Sequence, residues 1–202
     1  MIPKIIHQIW VGPKEPPNKW INTWKNIGFE HILWDEEKLS KLTMTNRDKF
    51  DYFMKKSVYY GASDIARLEI LYQFGGLYID ADTERLKDLP NEWFDYSFFA
   101  VEADPDPRWK YRITNGILGS SKNSPIVKKY IDKIAVAKKI EPCWNTIGGT
   151  LLTEVVKDFK NNKSILILNP YLFYPVSFKG VINKDAKDAV AKHYWGSTYN
   201  RY

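Results

Sequence analysis

Two carboxylates one residue apart, Asp80 and Asp82, close the apolar run Leu77-Tyr78-Ile79 and are the side chains of this 202-residue chain best spaced for chemistry. In an extended segment residues i and i+2 point to one side, so the pair is expected to converge. Converging anions repel unless a proton or a cation lies between them. Hard oxygen ligands favour Mg²⁺ or Mn²⁺, cations that keep positions open for substrate phosphates. The plain alternative is a solvated turn with two exposed acids. A strand end with an apolar lead-in is where ligands gather in open α/β sheets, which favours metal-assisted transfer from a phosphorylated donor.

Asp64 and Arg67, at i and i+3 in Ser63-Asp64-Ile65-Ala66-Arg67, share one face of a predicted helix. They read either as an internal ion pair or as a working pair, Arg67 neutralising a leaving phosphate and Asp64 accepting from a sugar hydroxyl. His193 lies in Ala191-Lys192-His193-Tyr194-Trp195 and offers a neutral imidazole as a third metal ligand. His7 and His31 fall within predicted strands and read as core or hydrogen-bonded groups.

These side chains need elements to hold them. Ile5 to Val11 is a compact apolar run closed by Gly12-Pro13, the pattern of a buried strand. Trp20 and Trp24 are spaced for one face of a short helix. Phe29 to Trp34 reads as a second strand, and Asp35 caps a helix opening with Glu36-Glu37. Helical spacing runs from Ser57 to Phe74 and stops at Gly75, a position for a left-handed residue. Strands follow at 77–80, 96–101 and 113–118. A helix runs from Pro125 towards Lys138, another opens at Gly148-Gly149, a strand covers 165–168, and a last strand spans 189–195. Alternation of this kind predicts a single α/β domain over residues 1–202 with a mostly parallel sheet between helical layers.

Composition narrows the partners. Thirty basic and twenty-four acidic residues give +6, an excess that favours phosphates, nucleotides or acidic surfaces. The Lys and Arg are scattered, which gives no footprint for nucleic acid. The lone Cys143 excludes an internal disulfide and any cysteine-based zinc site. No apolar run approaches the ~20 residues of a membrane span, and the first residues lead directly into a strand. A cytoplasmic location is therefore the expectation, with peripheral attraction as the route to any membrane-bound acceptor.

Taken together, these residues resemble the DXD-containing glycosyltransferases of family 32, the group of capsular-polysaccharide synthesis enzymes and yeast initiating mannosyltransferases. More distantly they are similar to the glucosyltransferase domains of the large clostridial toxins. The resemblance is carried by Ile2-Pro3-Lys4-Ile5-Ile6-His7-Gln8-Ile9-Trp10, Ser63-Asp64-x-x-Arg67, Gly75-Gly76-x-Tyr78-x-Asp80-x-Asp82, Asn115 in Thr114-Asn115-Gly116, and His193-x-Trp195-x-Ser197. It implies a three-layer GT-A fold and a divalent cation, usually Mn²⁺, on the diphosphate of a UDP- or GDP-sugar. Trp10 would stack on the base; strand-end core packing is its alternative. Asp64 and Arg67 would hold the sugar. Asp80 would contact ribose and sugar or the metal, and Asp82 would be the principal ligand. Tyr78 would face the diphosphate, and Asn115 would lie near the reacting sugar, with an Asn-Gly turn as the other reading. His193, Trp195 and Ser197 would close over metal and phosphate. Two positions depart from the family pattern: Ser197-Thr198 stands where Ser-Trp is usual, and Gly148-Gly149 where Gly-Pro is common.

The resemblance further implies transfer with retention of anomeric configuration to a glycan or other hydroxyl acceptor. Two other functions share parts of the pattern. Tyr78-Ile79-Asp80-Ala81-Asp82-Thr83 also matches the nucleophile loop of haloacid-dehalogenase-like phosphatases. That family places the loop after its first strand, whereas at least two predicted strands precede it here. A catalytically silent sugar- or nucleotide-binding module is the other, although such a module has no need of both acids.

Overall fold

The computed structural model describes residues 1–103 and 112–196. Among them, in chain order, run the strands β1 (Ile5–Ile9), β2 (Glu30–Trp34), β3 (Gly76–Ile79), β4 (Thr83–Arg85), β5 (Phe98–Glu102), β6 (Ile113–Ser120), β7 (Ile165–Leu168) and β8 (Ala191–His193). The helices are α1 (Asn18–Ile21), α2 (Glu36–Lys41), α3 (Arg47–Lys55), α4 (Tyr59–Phe74), α5 (Pro125–Ala135), α6 (Cys143–Thr146) and α7 (Gly149–Lys157). Six strands form one sheet in the order β2-β1-β3-β6-β5-β7. β1 runs parallel to β2 and β3, and β5 parallel to β7, while β6 is antiparallel to both its neighbours. This is the mostly parallel α/β sheet that the alternation of patterns predicts.

β1 and β3 lie in the interior and bury both faces, which explains their unbroken apolar runs. One face packs against α3, α4, α5 and α7 through Phe53, Leu68, Ile131 and Leu152. α4 is buried nearly all round, and its small residues let neighbours approach: a Cβ on Gly61 would lie 2.8 Å from the Phe53 ring of α3. The opposite face is closed mainly by aromatic side chains, among them Trp24, Trp93, Phe94 and Phe173. Several sit on short 3-10 turns, Asn22–Trp24, Asn91–Asp95 and Pro170–Leu172. The outer layer on that side is therefore thin.

Several elements differ from the sequence reading. The Trp20/Trp24 helix divides into α1 and the turn Asn22–Trp24, with both indoles still buried. The last strand shortens to β8 and leaves the main sheet, pairing antiparallel with β4 in a two-stranded sheet of its own. The reason lies in β4, which turns away from the main sheet after β3 and exposes an edge that β8 takes. α3, α6 and β4 are not foreseen at all. The cap on α2 is as expected, Asp35 accepting from the Lys38 amide at 2.9 Å.

Gly75 and Gly76 aim β3. Their φ angles are +69° and +101°, in a region that other residues occupy at a cost. A Cβ at either position would come within 2.7 Å of backbone, at Lys122 N and Ile5 O respectively. His7 Nε2 donates to the Gly75 carbonyl at 2.9 Å while Nδ1 accepts from Trp34 Nε1 at 3.1 Å, so β1 holds this turn from below.

Candidate active site

β3 ends at Ile79, and the next residues form a turn in which Thr83 N donates to Asp80 O at 3.0 Å. Asp80 and Asp82 therefore converge because the chain bends, not because it is extended as the i, i+2 spacing had implied. Antiparallel pairing of Thr83 with His193 brings the imidazole to the same point. One ligand atom from each of Asp80, Asp82 and His193 lies within 4.8 Å of the others. His193 Nε2 is 3.2 Å from Asp82 Oδ1 and 3.4 Å from Asp80 Oδ2.

A second group adjoins the first. Arg67 is buried beneath the acids, its Nη2 3.0 Å from Asp64 Oδ1 and its Nη1 3.4 Å from Asp80 Oδ1. Nε donates to the Ser63 carbonyl and Nη1 to the Asn115 carbonyl, and the guanidinium lies 4.4 Å from the Tyr78 ring centre. Asn115 Nδ2 donates to Asp64 Oδ1 at 2.7 Å from the middle of β6, which sets aside the Asn-Gly turn. Tyr78 is buried behind the pair, and its hydroxyl donates to Asp80 Oδ1 at 2.8 Å. Asp80 is the acid that reaches solvent: its side chain is 27% exposed, against 8% for Asp82 and 9% for Asp64.

The electrostatics follow from burial and pairing. Burial works against ionised Asp80, yet Arg67, with His193 and Tyr78, holds its carboxyl below the usual range. For Asp64 burial prevails over Arg67, and its carboxyl lies higher than usual. Burial acts against a charged His193, but Asp82 and Asp80 raise it overall. The Cys143 thiol, packed against Asp64, is pushed up to about 12 chiefly by burial, which makes it inert.

Two backbone amides complete the cluster. Gly196 N donates to Asp82 Oδ2 at 2.6 Å, and Trp195 N donates to His193 Nδ1 at 3.1 Å. With Nδ1 accepting, the proton of a neutral ring sits on Nε2 and points at the acids. Trp195 packs on His193 with ring centres 4.5 Å apart and stacks on Tyr174 at 5.3 Å. Trp10 is half-buried at the end of β1, its indole N–H donating to the Lys14 carbonyl at 2.7 Å. Ser197 lies outside the described residues.

The donor set fits a hard divalent cation: two carboxylates and one imidazole nitrogen on elements that the fold brings together, with no lysine or arginine within 4 Å of Asp82 among the described residues. Sequence reasoning missed Gly116 and Tyr174. A Cβ on Gly116 would lie 2.5 Å from Asp80 Oδ2, so this glycine clears the space the acid occupies. The Tyr174 hydroxyl shares a hydrogen bond with Thr114 Oγ1 at 2.9 Å and its ring supports Trp195. The only signal for either was Asn-Gly in β6 and an aromatic beyond β7.

Residues 14–100 match the family model described as the glycosyltransferase sugar-binding region containing the DXD motif. Over 186 residues the chain is 30% identical to an uncharacterized glycosyltransferase of Acanthamoeba polyphaga mimivirus, covering 85% of this chain and 73% of that one. The chain belongs to the DXD-containing glycosyltransferases. It is also 27% identical over 142 residues to inositol phosphoceramide mannosyltransferase 3 of Schizosaccharomyces pombe, 64% of this chain but only 36% of the yeast enzyme. Among solved structures, the PaToxG glycosyltransferase superposes with a TM-score of 0.62 at 21% identity, over 78% of this chain and 70% of that one. That likeness establishes the GT-A type of fold expected from the motifs. The phosphatase alternative is not favoured: Asp80, its would-be nucleophile, is held by Arg67 and Tyr78 on a glycosyltransferase fold. The silent module is not favoured either: both of the relatives just described are named as transferases. Among the described residues no helix is long and apolar enough to cross a membrane.

Proposed function

We propose that this glycosyltransferase is metal-dependent and moves a sugar, with retention of configuration, from a UDP- or GDP-sugar to a hydroxyl of a glycan or other acceptor. The observation that carries the reading is the meeting of Asp80, Asp82 and His193 beside the buried Asp64–Arg67–Asn115 group. Asp80, Asp82 and His193 would hold Mn²⁺ or Mg²⁺, which when bound stabilises negative charge on the departing diphosphate.

The rest is done by the chain itself. Arg67 pairs its charge with Asp64 and Asp80 and donates to two carbonyls from a buried position, a placement that suits orienting the carboxylates rather than reaching a phosphate. Asp64 is fixed on one oxygen by Arg67 and Asn115 and presents a carboxylate that can accept from a sugar hydroxyl. Asp80, the most open acid, faces donor ribose or sugar. Trp10 at the end of β1 offers an aromatic face to the base, and Trp195, packed on His193, flanks the phosphate side. No described group is set as a covalent nucleophile, so attack comes from the same face that the diphosphate leaves, with the leaving phosphate taking the acceptor proton.

The test is a thermal-shift panel of UDP- and GDP-sugars with and without Mn²⁺, since a bound ligand raises stability by RT ln(1 + [L]/Kd). The donor is expected to give a metal-dependent shift that Asp82→Asn abolishes. A donor shift unchanged by metal or by that substitution defeats the proposal. An inverted anomeric product by NMR defeats the same-face step alone.

A further inference from the structure

The chain between Pro175 and Asn183 folds into a small tongue beside the site. Val176 and Ile182 pair as an antiparallel bridge, and Asn183 N donates to Pro175 O at 2.9 Å. At the tip, Ser177 N donates to Val181 O and Gly180 N to Ser177 O, each at 2.9 Å. Ser177 Oγ accepts from the amides of Lys179 and Val181 at 3.2 and 3.1 Å. Gly180, at φ +80°, makes the reversal, and a Cβ there would meet nothing within 4 Å. The tip is thus ordered by its own hydrogen bonds while projecting from the body.

What it presents is unusual. Val181 and Ile182 are 64% and 72% exposed, adjacent branched aliphatics on a chain that buries most of theirs. Lys179 and Lys184 flank them and are exposed, and Lys187 follows on the next turn. The tongue from Val176 to Lys184 contains no acid; Asp185 and Asp188 come only after it. An apolar tip flanked by two exposed lysines matches a bilayer interface, where aliphatics enter the acyl boundary and lysines stay among anionic headgroups. A preorganised loop also loses little entropy on docking.

The tongue's root touches the active site. Phe178 meets Trp195 edge-on with ring centres 6.1 Å apart, and Trp195 Nε1 donates to Val176 O at 3.2 Å. Trp195 in turn packs on His193.

We propose that this tongue docks the enzyme on an anionic lipid surface and so sets the site at the membrane interface. The test is co-sedimentation of the intact protein with phosphatidylcholine vesicles with and without phosphatidylserine, at low and high salt. Wild type is expected to bind the anionic vesicles and to be released by salt. Val181→Ser with Ile182→Ser should weaken partitioning by about 10-fold or more, since two buried aliphatics are lost. Lys179→Gln and Lys184→Gln should each cost about 5-fold, on anionic vesicles only. Val136→Ser, which alters an equally bare aliphatic at the end of α5, 80% exposed, should change nothing. Circular dichroism melting confirms that each variant is folded. No sedimentation of wild type, equal partitioning of the tongue variants, or a concentration-dependent oligomer that only the tongue substitutions dissolve each overturns the proposal, the last in favour of a protein partner.

Discussion

A Cβ on Gly116 would lie 2.5 Å from Asp80 Oδ2 and 3.3 Å from the Tyr174 hydroxyl, so the carboxylate occupies space that any other residue on β6 would fill. Gly116→Ala should push Asp80 off its contacts with Arg67 and Tyr78. A displacement of the order of 1 Å at a reacting group costs about 100-fold in rate. The variant is expected to fold, with a stability loss of about 1–3 kcal/mol, and to lose about that factor in donor turnover. Gly119→Ala on the same strand is the contrast, because its Cβ would strike the Phe99 ring and its damage should appear in stability. Calorimetry and donor-hydrolysis rates on both variants separate the two. Asp64, Asp80 and Asp82 stand out by residue type and spacing, and His193 by its imidazole and the family resemblance, but the bend that joins the two acids and the strand pairing that brings His193 to them do not. Gly116 was not legible, because its necessity comes from a carboxylate on a neighbouring strand. Nor was the inward role of Arg67, which depends on burial that helical spacing does not encode.

β1 carries the turn that aims β3, and it does so through a histidine that must stay neutral. Burial pulls the His7 pKa down from 6.5 to about 4, against the hydrogen bond to Gly75. Because the folded value is the lower one, the unfolded chain takes up the proton first as pH falls. The contribution is complete above pH 6.5 and drains as pH drops towards 4, reaching about 3 kcal/mol for a shift of this size. His31, also lowered by burial, acts in the same direction, whereas His193 is raised and loses its contribution as pH rises. Comparing wild type with His7→Gln isolates the His7 part: denaturant midpoints of the variant should be lower at pH 7 and fall less between pH 7 and 5. Parallel falls would exclude the mechanism. Strands β1, β2, β5, β6 and β7 were readable as apolar runs, and α2, α4 and α5 from caps or periodicity. α3 was hidden because it buries only Phe50 and Phe53 among charges, and β4 because three residues hold no period.

At the scale of the whole molecule, the main sheet and α4 hold Asp64, Arg67, Asn115 and Asp80, while the small β4–β8 sheet delivers His193 from more than a hundred residues further along the chain. The site is therefore a seam between two sheets, closed by the Trp195 and Gly196 amides on His193 and Asp82. Ligation through His193 Nε2 needs that nitrogen free of its proton and Nδ1 protonated, which the Trp195 amide donating to Nδ1 opposes. Were His193 to hold a cation through Nε2, the Trp195 amide would have to give up its hydrogen bond to Nδ1, so cation binding and the 195–196 backbone would be coupled, with Asp80, Asp82 and His193 as the residues that tie the two sheets together. Mg²⁺ should then slow deuterium exchange at 80–85 and 191–194, the two edges it ties together, while speeding it at the Trp195 amide. Removal by EDTA should reverse both changes, and His193→Ala should abolish them. Uniform protection across the chain, or protection that survives His193→Ala, would mean that the two sheets are not joined through this imidazole.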